Sequence, residues 1–155
     1  MLLFGLDTKI MTKPSGGVNP PADHELLRQF SEELDSKKAL LAAAMVEEQY
    51  RADPELLKRW GERGRAKSFE DAAHNLSFLL EAVALGDAAV FGRYILWLDK
   101  VLAGAGLPRR ILTAHLELMA GHLAKALSKP CACEAARYIG SALAALTAAE
   151  EVKPL

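Results

Sequence analysis

Polar side chains that could take part in chemistry are concentrated in one short stretch of the chain. They are Arg65, Lys67, Asp71, His74 and Asn75. Asp71 and His74 have the carboxylate-x-x-His spacing of dinuclear iron sites in helical bundles, but those sites need the motif twice and this chain has it once. Arg65 and Lys67 precede a predicted helix start, where anions bind favourably. The stretch therefore predicts contacts to polar or anionic groups of a ligand, without a metal.

The remaining histidines and cysteines do not predict a reactive site. His115 and His122 lie seven residues apart on one helical stripe, about 10.5 Å along the axis, which is too far to chelate one metal. We expect local hydrogen bonds for both. Cys131 and Cys133 lack the spacing of zinc or redox pairs, and we expect ordinary thiols. Phosphate-binding glycine loops and serine nucleophile motifs are absent from the sequence, so we expect no catalytic residue and no enzyme.

Composition excludes several classes of partner. The 155 residues suit one domain, and 19 basic against 20 acidic side chains give a net charge of -1. Nucleic acids and anionic membranes attract basic proteins, so we expect neither as a partner. The sequence contains no membrane-length apolar run and no secretion signal at its start, which predicts a cytoplasmic location.

The sequence predicts that the elements positioning these residues are helices. Residues 1–21 contain three of the seven prolines and the pair Gly16-Gly17 without periodicity, and we interpret them as a short irregular arm. Residues 22–152 show helical spacing of apolar residues and no alternation typical of strands. We predict an all-α domain of about seven helices. Their approximate bounds are 23–34, 36–50, 54–61, 68–86, 87–104, 108–128 and 130–150.

Several segments in order resemble phycobiliproteins, over roughly residues 30 to 146. Lys67, Asp71, Leu76, Gly86 and Asp87 match the helix that carries the pigment in that family. Further matching segments are residues 50–54, 106–108, 114–119 and 134–143. The resemblance implies a globin-like fold, in a bacterial phycobiliprotein-like globin.

Departures from the family pattern change the implied function. Ser68 replaces the cysteine that forms the thioether to the pigment, and Glu70 replaces an arginine that pairs with a propionate. His74 and Asn75 replace two tyrosines, whereas the pigment-binding Asp71 remains. A serine hydroxyl is a far weaker nucleophile than a thiolate, so we expect no covalent bilin and no light harvesting.

The resemblance then implies a non-enzymatic binding or sensory module. A small apolar, fatty-acid-like or tetrapyrrole ligand would be held non-covalently between the helices at 68–85 and 88–103. Asp71, His74 and Asn75 would contact it, with Arg65 or Lys67 at the mouth of the pocket.

Two other functions remain open at this stage. The helix at residues 88–103 is apolar around most of its circumference, so it needs cover on both sides. A partner subunit could supply that cover, which predicts a homodimer with a face of Phe91, Tyr94, Trp97 and Leu98. The chain would then be a ligand-free interaction module similar to non-haem sensor globins, with a signalling protein as a further partner. The Gly86-Asp87 step also resembles the helical cap of cobalamin-binding proteins.

Overall fold

Helices hold 91% of the residues that the computed structural model describes, which are residues 23–151. They are α1 (His24–Ala52), α2 (Glu55–Leu85), α3 (Ala88–Gly104), α4 (Arg109–Ala126) and α5 (Lys129–Glu151). No strand occurs in this range, which confirms the all-α prediction. The predicted arm at residues 1–21 lies outside the described residues. Among residues 23–151, no helix is both long and apolar enough to cross a membrane.

The predicted number of seven helices is wrong, because α1 and α2 each unite two predicted helices. Ser36 and Ser68 were the expected starts of the second helix of each pair. Instead, the Ser36 hydroxyl donates to the carbonyl oxygen of Glu33 at 2.9 Å, and the Ser68 hydroxyl donates to that of Gly64 at 3.0 Å. A serine hydroxyl that bonds back to the preceding turn lets the helix continue past it.

A kink at Gly61 remains where the sequence predicts a helix end. Gly61 has φ 66° and ψ -172° inside α2, a backbone conformation that is essentially restricted to glycine. The boundary between α2 and α3 agrees with the prediction. Gly86 ends α2 in the left-handed conformation, and the Asp87 carboxylate accepts a hydrogen bond from the Ala89 amide at 2.9 Å.

Helix α3 is covered by this chain's own helices, chiefly by α5. Phe91, Tyr94 and Leu98 are 0%, 4% and 0% exposed, so these three cannot form the predicted dimer face. Trp97 alone of that set is accessible, at 37%. The apolar circumference of α3 is that of a central core helix. This finding corrects the residues of the predicted face, and the homodimer itself stays a prediction.

Side-chain contacts with other helices fix both ends of α4. At its start, the Arg109 guanidinium pairs with the Asp99 carboxylate of α3 at 2.6 Å and donates to the carbonyl oxygen of Leu146 in α5 at 3.1 Å. At its end, the Lys37 ammonium of α1 donates to the carbonyl oxygen of Ala126. These contacts hold α4, which carries His115, in a defined position against α3, α5 and α1.

Candidate functional site

A buried hydrogen-bonded chain of three side chains joins α2, α3 and α4. The Asn75 side-chain oxygen accepts a hydrogen bond from the Tyr94 hydroxyl at 2.5 Å. Its amide nitrogen lies 3.0 Å from Nε2 of His115. All three residues are buried. Asn75, predicted to contact a ligand, therefore has both ends of its amide engaged by protein groups.

Burial keeps this chain of side chains uncharged near neutral pH. It lowers the pKa of His115 to about 4, because an imidazolium would lose its hydration there. With the Asn75 amide donating to Nε2, the ring proton sits on Nδ1 of the neutral imidazole. Burial also raises the pKa of Tyr94, and the nearby charge of Asp71 raises it further. The phenol therefore stays protonated and donates.

Aromatic rings occupy the space beside Asn75 between α2 and α3. Phe78 of α2 stacks on Tyr94 with ring centroids 3.9 Å apart, and Tyr94 stacks on Trp97 at 6.1 Å. This is where the resemblance places a ligand. In the structure, aromatic side chains of the protein itself lie at that position.

The other predicted site residues differ in their surroundings. His74 is partly buried, and its Nε2 atom has no hydrogen-bond partner within the described part of the chain. Burial lowers its pKa, against the opposing charge of Glu81. Asp71 is partly buried near Tyr94, and Arg65 is partly buried one and a half turns earlier. Lys67 pairs with Glu70 at 2.7 Å near the surface.

A cavity of about 340 Å³ lies elsewhere, between the corner that joins α1 to α2 and the first half of α4. None of the five predicted residues lines it. His115 lines it, and Asn75 is connected to the cavity wall by its hydrogen bond to His115. The apolar part of the lining consists of Ala52, Leu56, Leu107, Ile111, Ala114 and Leu118. The volume is at the lower end of the range for small-molecule sites.

Four charged side chains stand around this cavity. Glu48 lies on α1, Asp53 follows α1, Arg59 precedes the Gly61 kink, and Arg110 is in the first turn of α4. All four are exposed to solvent on one side. The arrangement combines an apolar interior with a charged rim, which suits an amphipathic small molecule.

The stripe that His115 shares with Ile111 and Leu118 is visible in the sequence, but its spacing predicts no ligand. Both histidines are hydrogen-bonded as expected, but to other helices and not locally: His115 bonds Asn75, and His122 Nε2 lies 2.6 Å from a Glu48 carboxylate oxygen. Arg59 and Arg110 were missed. The sequence signal for Arg110 is the pair Arg109-Arg110 at the start of an apolar helix. In the structure, Arg109 pairs with Asp99, whereas Arg110 lines the cavity.

The cysteines are both free, Cys131 buried and Cys133 exposed. Burial raises the pKa of the Cys131 thiol, which disfavours the reactive thiolate. Among the described residues, no three His, Cys, Asp or Glu side chains are grouped so as to hold a metal ion. Comparisons of the chain with known protein families, with curated proteins and with solved structures find no match.

Proposed function

We propose that this chain is a non-enzymatic small-molecule binding module, of a phycobiliprotein-like globin type. The observation that carries the proposal is the cavity of about 340 Å³ with a mostly apolar lining. The proposed ligand position is the space between the α1–α2 corner and α4, whereas the resemblance implies the contact between α2 and α3. Its modest volume favours a ligand with one ring or one short chain over a four-ring tetrapyrrole.

The coupling between the cavity and the core supports a sensory role. A ligand that contacts His115 touches the first member of the hydrogen-bonded chain that reaches Asn75 and Tyr94. Tyr94 stacks on the exposed Trp97, so the chain of contacts runs from the cavity to the surface of α3. A shift of His115 on ligand binding would thereby alter the surroundings of Trp97.

Binding of a neutral apolar fluorophore, N-phenyl-1-naphthylamine, tests the function. We expect saturable binding with one site per chain, and loss of that binding in Ala114→Trp, which fills the cavity. Ala124→Trp is the matched control, because it places the same side chain on the exposed surface of α4 outside the lining. Binding that Ala124→Trp weakens as much as Ala114→Trp, or no saturable binding at all, contradicts the proposal.

The ligand position implied by the resemblance is tested with a tetrapyrrole. Biliverdin is added to the purified chain and its absorption spectrum recorded. A bound-pigment spectrum that His74→Ala or Asp71→Ala removes and Ala114→Trp leaves intact would place the ligand at α2 and overturn the cavity assignment.

A ligand-free interaction module is the second candidate. Trp97 is 37% exposed at the end of the Phe78–Tyr94–Trp97 stack, and an exposed tryptophan on an aromatic base is typical of interface centres. A homodimer centred on Trp97 would account for it.

A further inference from the structure

The charged rim of the cavity is unevenly satisfied by the protein. The Glu48 carboxylate lies 2.6 Å from Nε2 of His122, and the Asp53 carboxylate accepts a hydrogen bond from the Glu55 amide at 3.2 Å. Both acids thus have a partner on the protein. Asp53 in particular is used to start α2.

The two arginines of the rim are not used in this way. The Arg110 side chain makes no hydrogen bond or ion pair with any residue of the described range 23–151. Arg59 lies with its guanidinium 4.9 Å from the centre of the Trp60 ring, a contact that leaves its N–H groups available. A guanidinium offers five N–H donors in a planar fork that matches a carboxylate. The rim therefore has an excess of unused donors.

The interior of the cavity adds a polar group without adding charge. His115 on the wall is held neutral by burial. The other lining side chains near it, Ile111, Ala114 and Leu118, are apolar. An apolar chain can lie along this side of α4 with its polar end directed towards Arg110.

We infer that the cavity takes a short amphiphilic monocarboxylate, with its apolar chain against α4 and its carboxylate paired with Arg110, assisted by Arg59. This inference rests on the proposed function and specifies its ligand class. The alternative is a ligand with a cationic head group, which Glu48 and Asp53 would bind. Their existing hydrogen bonds argue for the anion.

Three probes of equal chain length test the head group: octanoate, 1-octanol and octylammonium. Each competes with N-phenyl-1-naphthylamine at pH 7.5, on the full chain and on Arg110→Gln. Arg63→Gln is the control, because Arg63 is exposed on α2, outside the cavity, and its loss changes the net charge equally. We expect octanoate to bind most tightly. Arg110→Gln should weaken octanoate about tenfold, the usual worth of a charge-assisted bond, and change 1-octanol less than twofold. Added salt should weaken octanoate alone.

The outcomes separate the two proposals. Equal affinity for octanoate and 1-octanol, or equal weakening of both by Arg110→Gln, overturns the carboxylate assignment and leaves the binding function standing. Tightest binding of octylammonium also overturns it, in favour of recognition by the acids. Failure of the fluorophore and of all three probes to bind overturns the function and this inference together.

Discussion

Asn75, Tyr94 and His115 place three polar side chains in an apolar core, and their hydrogen bonds to one another offset the loss of hydration. The sequence identifies Asn75 as a polar residue on a helix that faces the core. It does not reveal that α3 and α4 bring Tyr94 and His115 to its two ends, because those contacts span 19 and 40 residues. The sequence does not distinguish a buried asparagine that is hydrogen-bonded to a ligand from one that is hydrogen-bonded to protein groups.

Stability should depend on pH through His115. Its pKa of about 4 in the folded chain lies below its ordinary value of 6.5. Between these pH values the unfolded chain binds a proton that the folded chain does not, so stability falls as the pH falls from 6.5 to 4 and this contribution levels off below 4. The difference corresponds to about 3 kcal/mol. Burial lowers the pKa of His74 as well, which acts in the same direction.

Urea unfolding at pH 4 to 7 measures this dependence. We expect a shallower slope of unfolding free energy against pH in His115→Gln than in the unaltered chain. His24→Gln, which replaces an exposed histidine, should keep the original slope. An identical slope for His115→Gln would show that this histidine does not carry the effect.

Helix boundaries follow from local chemistry only where the side chain has no better partner. Asp87 caps α3 and Gly86 ends α2 as predicted, since both effects act within one turn. Ser68 does not act as a cap: its hydroxyl donates to the Gly64 carbonyl oxygen at 3.0 Å and lies 3.2 Å from the hydroxyl of Tyr50 in α1. Packing of α1 against α2 was not visible in the sequence, and it changes what a serine does.

The kink in α2 should depend on Gly61. Gly61→Ala places a Cβ at φ 66°, and we expect a loss of roughly 1–3 kcal/mol in unfolding free energy. Gly121→Ala is the control. Gly121 lies inside α4 with open space around its Cα, so an alanine there should stabilise by about 0.5–1 kcal/mol. Urea unfolding monitored by circular dichroism compares the two, and a gain in stability for Gly61→Ala would contradict the prediction.

All five helices contribute to one apolar core, which residues such as Phe30, Leu79, Phe91, Leu116 and Tyr138 occupy with no exposed surface. The helical character and the core-facing residues were predictable, since both follow from spacing along the chain. The cavity was not predictable. It depends on how the α1–α2 corner meets α4, and its lining comes from two stretches that are far apart in the sequence, residues 48–59 and 107–118.

Association of two chains should depend on Trp97 if the second candidate function holds. We expect sedimentation equilibrium to show a dimer for the unaltered chain and a monomer for Trp97→Glu, because a buried carboxylate at an interface centre is costly. Leu40→Glu is the control, since Leu40 is 75% exposed on α1. A monomer for the unaltered chain at all concentrations would contradict the predicted homodimer.

The corner between α4 and α5 is completed by residues of α1. The Glu33 carboxylate accepts from the Ser128 amide at 3.0 Å across 95 residues of sequence, and Lys37 reaches Ala126 across 89. Closing loops of this length has an entropic cost that arises before the contacts between their ends can form. The corner should therefore acquire its final geometry late, after the two ends of the chain have met. In stopped-flow experiments, Glu33→Gln should accelerate unfolding and leave the refolding rate nearly unchanged, the signature of a contact absent from the rate-limiting barrier.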